Sequence, residues 1–192
     1  TGMTSISEIS KVVEIVQSNN CPFSLLHCVS SYPAKHSDAN LSTISYLQKI
    51  FDIPVGFSDH TLGIDVSLAA VALGATIIEK HFTLDKNMTG PDQKLSIDPK
   101  ELSDLVKKIR IIEKAMGHSR KTIYKTEESF RTNMRKSLGT NQNIPANTII
   151  KRSMITSFRP GIGIPPYFID EFIGRKTKKN IKKGSLLNWD FF

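Results

Sequence analysis

Short, nearly all-apolar runs alternate along the first 117 residues with longer segments whose apolar positions recur every three or four residues. The runs Phe23–Cys28, Pro54–Ser58 and Thr76–Phe82 read as strands, the first of them apolar enough to be buried on both faces, as parallel strands usually are. The longer segments read as helices. Ser5 and Glu8 have the spacing of a capping box ahead of a helix running to about Ser18. A second helix spans about Leu41 to Phe51, and a third spans Val66 to Leu73 with Gly74 closing it. The fourth has the clearest ends: Asp98 as N-cap, Pro99 at the first helical position, Glu101 three residues after the cap, and Gly117 at the stop. Leu102, Leu105, Val106, Ile109, Ile112 and Met116 recur along it at helical spacing.

The order α-β-α-β-α-β-α implies an α/β fold with a parallel sheet covered by helices. Three strands are too few for a closed barrel or a doubly wound sheet. An eight-stranded barrel would need roughly five more, expected ahead of Thr1, and the absence of an initiating methionine agrees with that expectation. From Gly117 to about Lys136 the sequence is polar without clear period and reads as a linker. Beyond it Asn143-Ile144-Pro145-Ala146-Asn147-Thr148-Ile149-Ile150 matches Asn180-Ile181-Lys182-Lys183-Gly184-Ser185-Leu186-Leu187, position by position, at a spacing of 37 residues. Two copies do not make a solenoid; they predict a small β-rich domain built from related halves. The expected organisation is a partial barrel over 1–117, a linker over 118–136 and a small domain over 137–192.

Charge sharpens this division. The formal net charge is +8, yet the segment up to Gly117 holds 11 Lys+Arg against 13 Asp+Glu, while the remainder holds 15 against 5. A basic module suits an anionic small molecule as well as a polynucleotide, but the run Arg175-Lys176-Thr177-Lys178-Lys179 lacks the interleaved aromatics of a stacking platform. No nucleic-acid partner is expected. No apolar run approaches the ~20 residues that cross a bilayer, so no membrane partner is expected either. Cys21 and Cys28 cannot form a disulfide framework, which points to a reducing cytoplasm.

In a βα barrel the chemistry sits at the C-terminal ends of the strands. Here these ends are Cys28-Val29-Ser30-Ser31-Tyr32-Pro33, Ser58-Asp59-His60-Thr61 and Glu79-Lys80-His81-Phe82-Thr83. On neighbouring strands His60 and His81 reach one mouth, where they could share a divalent metal. Structural histidines are the alternative, because residues this far apart in sequence form no local metal motif. His27 reads as a core residue, and His36 and His118 lie in polar stretches without partners. The long polar loop Asp85–Asp92 and the glycine-bearing loop Ser157–Gly163, which presents Arg159, are the other candidate substrate elements.

Together Thr1-Gly2-Met3, Cys28-x-x-x-Tyr32-Pro33, Ser58-Asp59-His60-Thr61-Leu62, Glu79-Lys80-His81-Phe82, Gly90-Pro91-Asp92 and Arg159-Pro160-Gly161-x-Gly163 resemble the sialic acid synthase family. The resemblance covers essentially the whole chain. It implies the C-terminal portion of a TIM barrel, with Thr1-Gly2-Met3 at the end of the fifth strand, followed by an antifreeze-like (SAF, β-clip) domain. It also implies condensation of phosphoenolpyruvate with an N-acetylated hexosamine: N-acetylneuraminate synthesis, or legionaminate or pseudaminate synthesis within the same family. His60 and His81 would then be catalytic and the protein ligands of Mn²⁺ or Mg²⁺. Ser30 and Ser58 would contact the phosphate, Asp59 would belong to the substrate contacts, and Tyr32 and Asp92 would contact the sugar. Arg159 would reach from one subunit to the sugar of another in a domain-exchanged homodimer. Phosphate-binding lysines and an acidic acid or base group would lie upstream of Thr1, leaving this stretch inactive alone. A non-catalytic binding module is the alternative from another class.

Overall fold

Leu25–Cys28 (β1), Val55–Asp59 (β2) and Ile78–Lys80 (β3) form one parallel sheet in the order β1-β2-β3 in the computed structural model, which describes residues 1–192. Each strand is shorter than its apolar run. Pairing nevertheless continues past the strand ends, through Thr76 N–H to Val55 O, Phe57 N–H to Ile77 O and the parallel bridge Phe82–Ile97. The helices α1 (Ile6–Ser18), α2 (Ser42–Phe51), α3 (Asp65–Ala72) and α4 (Pro99–Met116) fall in the intervals that periodicity predicts. Both halves of the α4 capping box are made: Glu101 N–H donates to Asp98 Oδ1 at 2.8 Å and Asp98 N–H to Glu101 Oε2 at 2.9 Å. At α1, Ser5 N–H donates to Glu8 Oε2 at 2.7 Å, satisfying a donor the helix itself leaves free. No helix is long and apolar enough to cross a membrane.

The side-chain alternation of the strands divides the sheet into two faces. Val55 and Phe57, with Leu25 and Ile78, pack against Ala39, Ile44, Leu47 and Ala70 of the helical layer. Leu26, Cys28, Gly56, Ser58 and Glu79 lie on the opposite face by the same alternation. Gly56 is required by close approach, because a Cβ there would lie 2.5 Å from Leu26 Cδ2 and 2.7 Å from Ile77 Cβ. His27, expected in the core, is buried on the helical side, with Nε2 on the Ala39 carbonyl at 2.8 Å. The contacts divide the chain into two compact units, Thr1–Ser119 and Arg120–Phe192.

The second unit contains a helix the sequence reading did not anticipate. α5 (Lys125–Met134) occupies half of the stretch expected to be a linker over 118–136. Its apolar face is too weak to announce itself; instead Thr132 O accepts from Gly161 N–H at 2.7 Å and Met134 O from Arg159 Nε at 2.9 Å, so tertiary bonds hold it. β4 (Ser137–Thr140) and β5 (Ile155–Phe158) then pair antiparallel. The duplicated segments pair with each other about an internal pseudo-two-fold axis. Ile144 and Ile181 exchange both backbone hydrogen bonds at 2.8 Å. Asn180 Oδ1 accepts from Ala146 N–H, and Asn143 Oδ1 reciprocally accepts from Lys183 N–H. Thr177 Oγ1 donates to Pro145 O as Thr140 Oγ1 does to Lys182 O, each at 2.8 Å. Asn147 and Gly184, equivalent in the repeat, both take positive φ, +62° and +82°. Ile144, Ile150, Ile181 and Leu187 of the two copies share one core with Leu138, Ile155, Ile164 and Phe172.

Two outcomes are expected. Ile144→Ala and Ile181→Ala, at 1% and 2% exposure, should destabilise the second unit by similar amounts, each about 2–5 kcal/mol. Denaturation followed by fluorescence of Trp189, the chain's one tryptophan, measures this; markedly unequal costs would contradict the pseudo-symmetry. In the first unit, burial holds the His27 imidazole below its usual pKa, partly offset by the Ala39 carbonyl. The unfolded chain then binds a proton that the fold resists, so stability is full above about pH 6.5. It falls as the pH drops from there towards the depressed folded pKa, and levels off below it. Melting temperatures across pH 7.5 to 5 should show this loss in the parent and not in His27→Gln.

Candidate functional site

The ends of β1, β2 and β3 bring Ser30, Tyr32, His60, His81 and Asp92 to one side of the sheet. His60, 6% exposed, has Nδ1 3.0 Å from the Val29 carbonyl. A carbonyl only accepts, so Nδ1 carries the proton and Nε2 is left with its lone pair. The His60 and His81 ring centroids are 5.2 Å apart with planes at 70°. Tyr32 covers both, its centroid 4.3 Å from that of His60 and 5.7 Å from that of His81, while more than half of its surface faces solvent. Asp92 Oδ2 lies 3.8 Å from His81 Nδ1, beyond direct hydrogen-bond reach. Ser30 is half-buried near Cys28, their Oγ and Sγ atoms 3.8 Å apart, and the backbone of Gly2 presses on it closely enough that a Cβ there would collide with Ser30 Oγ.

Ser58 is buried one row below His60, and its hydroxyl donates to Glu79 Oε1 at 2.6 Å. Glu79 is exposed, and it is the side chain the sequence reading missed here, because an acidic group was sought only upstream of Thr1. The available signal was the two-residue period: on one strand Glu79 shares the face of His81, as Ser58 shares that of His60.

Asp59 requires a correction. Expected among the substrate contacts, it points the other way, into the helical layer, with none of its side chain exposed. Its Oδ1 accepts from Thr61 N–H at 2.8 Å and Thr61 Oγ1 at 2.7 Å; its Oδ2 accepts from Ser67 Oγ at 2.5 Å and pairs with Lys80 Nζ at 3.0 Å. Both oxygens are committed within the chain. Arg159 lies in the second unit, exposed, anchored through Nε to Met134 O with its terminal nitrogens free of hydrogen bonds.

The donor set fits a divalent cation in part. Two neighbouring imidazoles, one with its tautomer fixed by a carbonyl, make an open pair of nitrogen ligands. No third His, Cys, Asp or Glu joins them in a cluster, so this chain by itself would offer a cation two nitrogen ligands. Cys21 and Cys28 are both free thiols.

Residues 1–121 match the NeuB family and residues 135–192 the SAF domain. The N,N'-diacetyllegionaminic acid synthase of Campylobacter jejuni is 43% identical over 190 residues, covering 97% of this chain and 57% of that protein. Mouse N-acetylneuraminate-9-phosphate synthase is 40% identical over 185 residues, covering 95% of this chain and 52% of that protein. The crystal structure of N-acetylneuraminic acid (sialic acid) synthetase from Leptospira borgpetersenii, in complex with citrate, is 46% identical with a TM-score of 0.64, covering 67% of this chain and 45% of that one. The chain thus spans little more than half the length of the curated relatives it matches. With βα units at the end of a barrel ahead of a pseudo-symmetric β domain, and relatives matching along nearly its whole length, the chain belongs to the NeuB family and carries a SAF domain.

Proposed function

We propose that the chain carries the metal and sugar-binding part of a nonulosonic acid synthase, which condenses phosphoenolpyruvate with an N-acetylated hexosamine and water and releases phosphate. The observation that carries this reading is the pair of imidazoles His60 and His81 facing one mouth, beneath the exposed ring of Tyr32 and above Ser58 and Glu79. Mn²⁺ or Mg²⁺, held by Nε2 of His60 and a ring nitrogen of His81, would supply a Lewis acid for the aldehyde of the open-chain sugar. The balance is that C3 of phosphoenolpyruvate bonds to the sugar C1, water adds at C2, and the tetrahedral centre expels phosphate to leave a 2-keto acid.

The chain's own residues bind and orient. Ser30 and Ser58 offer hydroxyls to the phosphate; because Ser58 gives its proton to Glu79 in the free protein, it must turn to donate. Glu79 then holds a vacant proton acceptor on the face the two histidines share, suited to taking a proton from the water that adds. Tyr32 presents a ring face to the sugar, and Asp92 a carboxylate to its hydroxyls. Arg159, its terminal nitrogens free, would offer its fork to the same sugar from a partner subunit in a domain-exchanged dimer. Anionic phosphate and carboxylate favour such a positive neighbour.

N-acetylmannosamine, giving N-acetylneuraminate, is the acceptor we favour from the Leptospira sialic acid synthetase at 46% identity. The legionaminate reading is supported by the Campylobacter synthase, whose 43% identity runs over more of the chain. Expressed with whatever coding sequence precedes Thr1 in frame, the protein should release phosphate from phosphoenolpyruvate in the presence of a hexosamine and Mn²⁺. A panel of N-acetylmannosamine against 2,4-diacetamido sugars decides the acceptor, and silence with every sugar would overturn the enzyme reading. His81→Ala should abolish metal-dependent turnover and Mn²⁺ binding together. Arg159→Ala should raise KM for the sugar roughly tenfold or more, as loss of a charged hydrogen bond does, leaving KM for phosphoenolpyruvate near the parent value.

A further inference from the structure

Asp59 and Lys80 immediately precede His60 and His81, and they stand in register across β2 and β3. Their charges meet at 3.0 Å with 0% and 3% of the side chains exposed. A buried pair of this kind adds little net stability, because removing two ions from water offsets their attraction. What it fixes is position. Lys80 Nζ also donates to Thr61 O at 2.7 Å, while Asp59 Oδ1 takes Thr61 N–H and Oγ1. Thr61, the residue after His60, is therefore held at both its N–H and its C=O by the two charged groups. Ser67 Oγ ties the same carboxylate to α3.

His60 sits inside this clamp with its carbonyl accepting from Ala34 N–H at 2.9 Å and Nδ1 on Val29 O, so Nε2 is the ring nitrogen left to act. His81 has no comparable anchor on its ring, since Asp92 stays 3.8 Å away. Its place relative to His60 depends on the strand that carries it, and Lys80 is where that strand is tied to Asp59.

We propose that the Asp59–Lys80 pair is the positioning device of the histidine pair, holding the ends of β2 and β3 at the separation at which His60 and His81 take one divalent cation. Cation binding at this separation rests on the proposed function; the spacing of the two rings does not, and the experiment separates them.

Removing one charge leaves the other buried and unpaired, so Asp59→Asn and Lys80→Met are expected to unfold the first unit when made singly. Made together in the 192-residue chain, D59N/K80M removes both charges; the carboxamide oxygen still accepts from Thr61, and its NH2 can donate to Ser67 Oγ in place of accepting from it. The double variant should retain the parent's backbone amide spectrum. In metal-free protein the NMR cross-peak between the His60 and His81 ring protons should be present in the parent and lost in the double variant. Mn²⁺ affinity, read by the EPR signal of the free ion, should fall by about 10–100-fold, the usual effect of disturbing residues behind metal ligands. A double variant with an unchanged cross-peak and unchanged Mn²⁺ affinity overturns the proposal, as does a parent that shows no cross-peak. If the parent binds no Mn²⁺ the metal reading falls, and the ring cross-peak still decides the positioning role. Should the double variant not fold, Ser67→Ala loosens the same carboxylate without unpairing a charge. A cross-peak and Mn²⁺ affinity at parent values in that variant would equally overturn the proposal.

Discussion

The two-residue period of β2 is the constraint on which the first unit depends. Five residues in a row along this strand are buried, yet they serve opposite purposes: Val55, Phe57 and Asp59 turn to the helical side, Gly56 and Ser58 face the other, and His60 continues the alternation past the strand's end. A slip of one residue would turn every side chain to the wrong face. Here it would send the Asp59 carboxylate to the open side and drive His60 among Phe57, Ala70 and their neighbours. The register is held from both flanks, by Leu25–Val55 pairing on β1 and by Asp59–Lys80 on β3. Core packing and chemistry are thus not separate layers of the design, since the same strand presents both.

Electrostatics differ in kind between the two units. In the first, one charge contact, Asp59–Lys80, is buried and tied to strand geometry. In the second, the ion pairs Arg152–Asp170 and Arg175–Glu171 are exposed and each contributes ~0–1 kcal/mol. The excess of Lys and Arg after Gly117 remains largely uncompensated, so the second unit projects a positive field while its cohesion comes from apolar packing and reciprocal backbone bonds. That separation of duties suits a module whose charge is meant for a partner or ligand rather than for its own fold.

Much of this was legible in the sequence, and for identifiable reasons. The strands and helices of the first unit announced themselves through their apolar patterns, and α1 and α4 also through the capping boxes at their N-terminal ends. The duplication around Ile144 and Ile181 was visible because pseudo-symmetry imposes like residues at like places, down to the positive φ shared by Asn147 and Gly184. α5 was not legible: its residues are exposed throughout, and the bonds that hold it come from Gly161 and Arg159, distant in sequence.

Asp59 was misread for a more instructive reason. A motif places Ser58, Asp59 and His60 side by side, and adjacency in a motif invites a shared role. On a strand, adjacency means the opposite, because neighbouring side chains point to opposite faces. The motif's middle residue is the one that cannot touch a ligand at the mouth, and its acidity is accounted for only by finding Lys80 at the same level of the next strand. Sequence supplies the identity of such a pair, whereas its register comes from packing: Phe57 and Ile78 must lie in one hydrophobic layer before Asp59 and Lys80 can meet above them. Long-range pairing of this kind is where reading along the chain ends and reading across the sheet must begin.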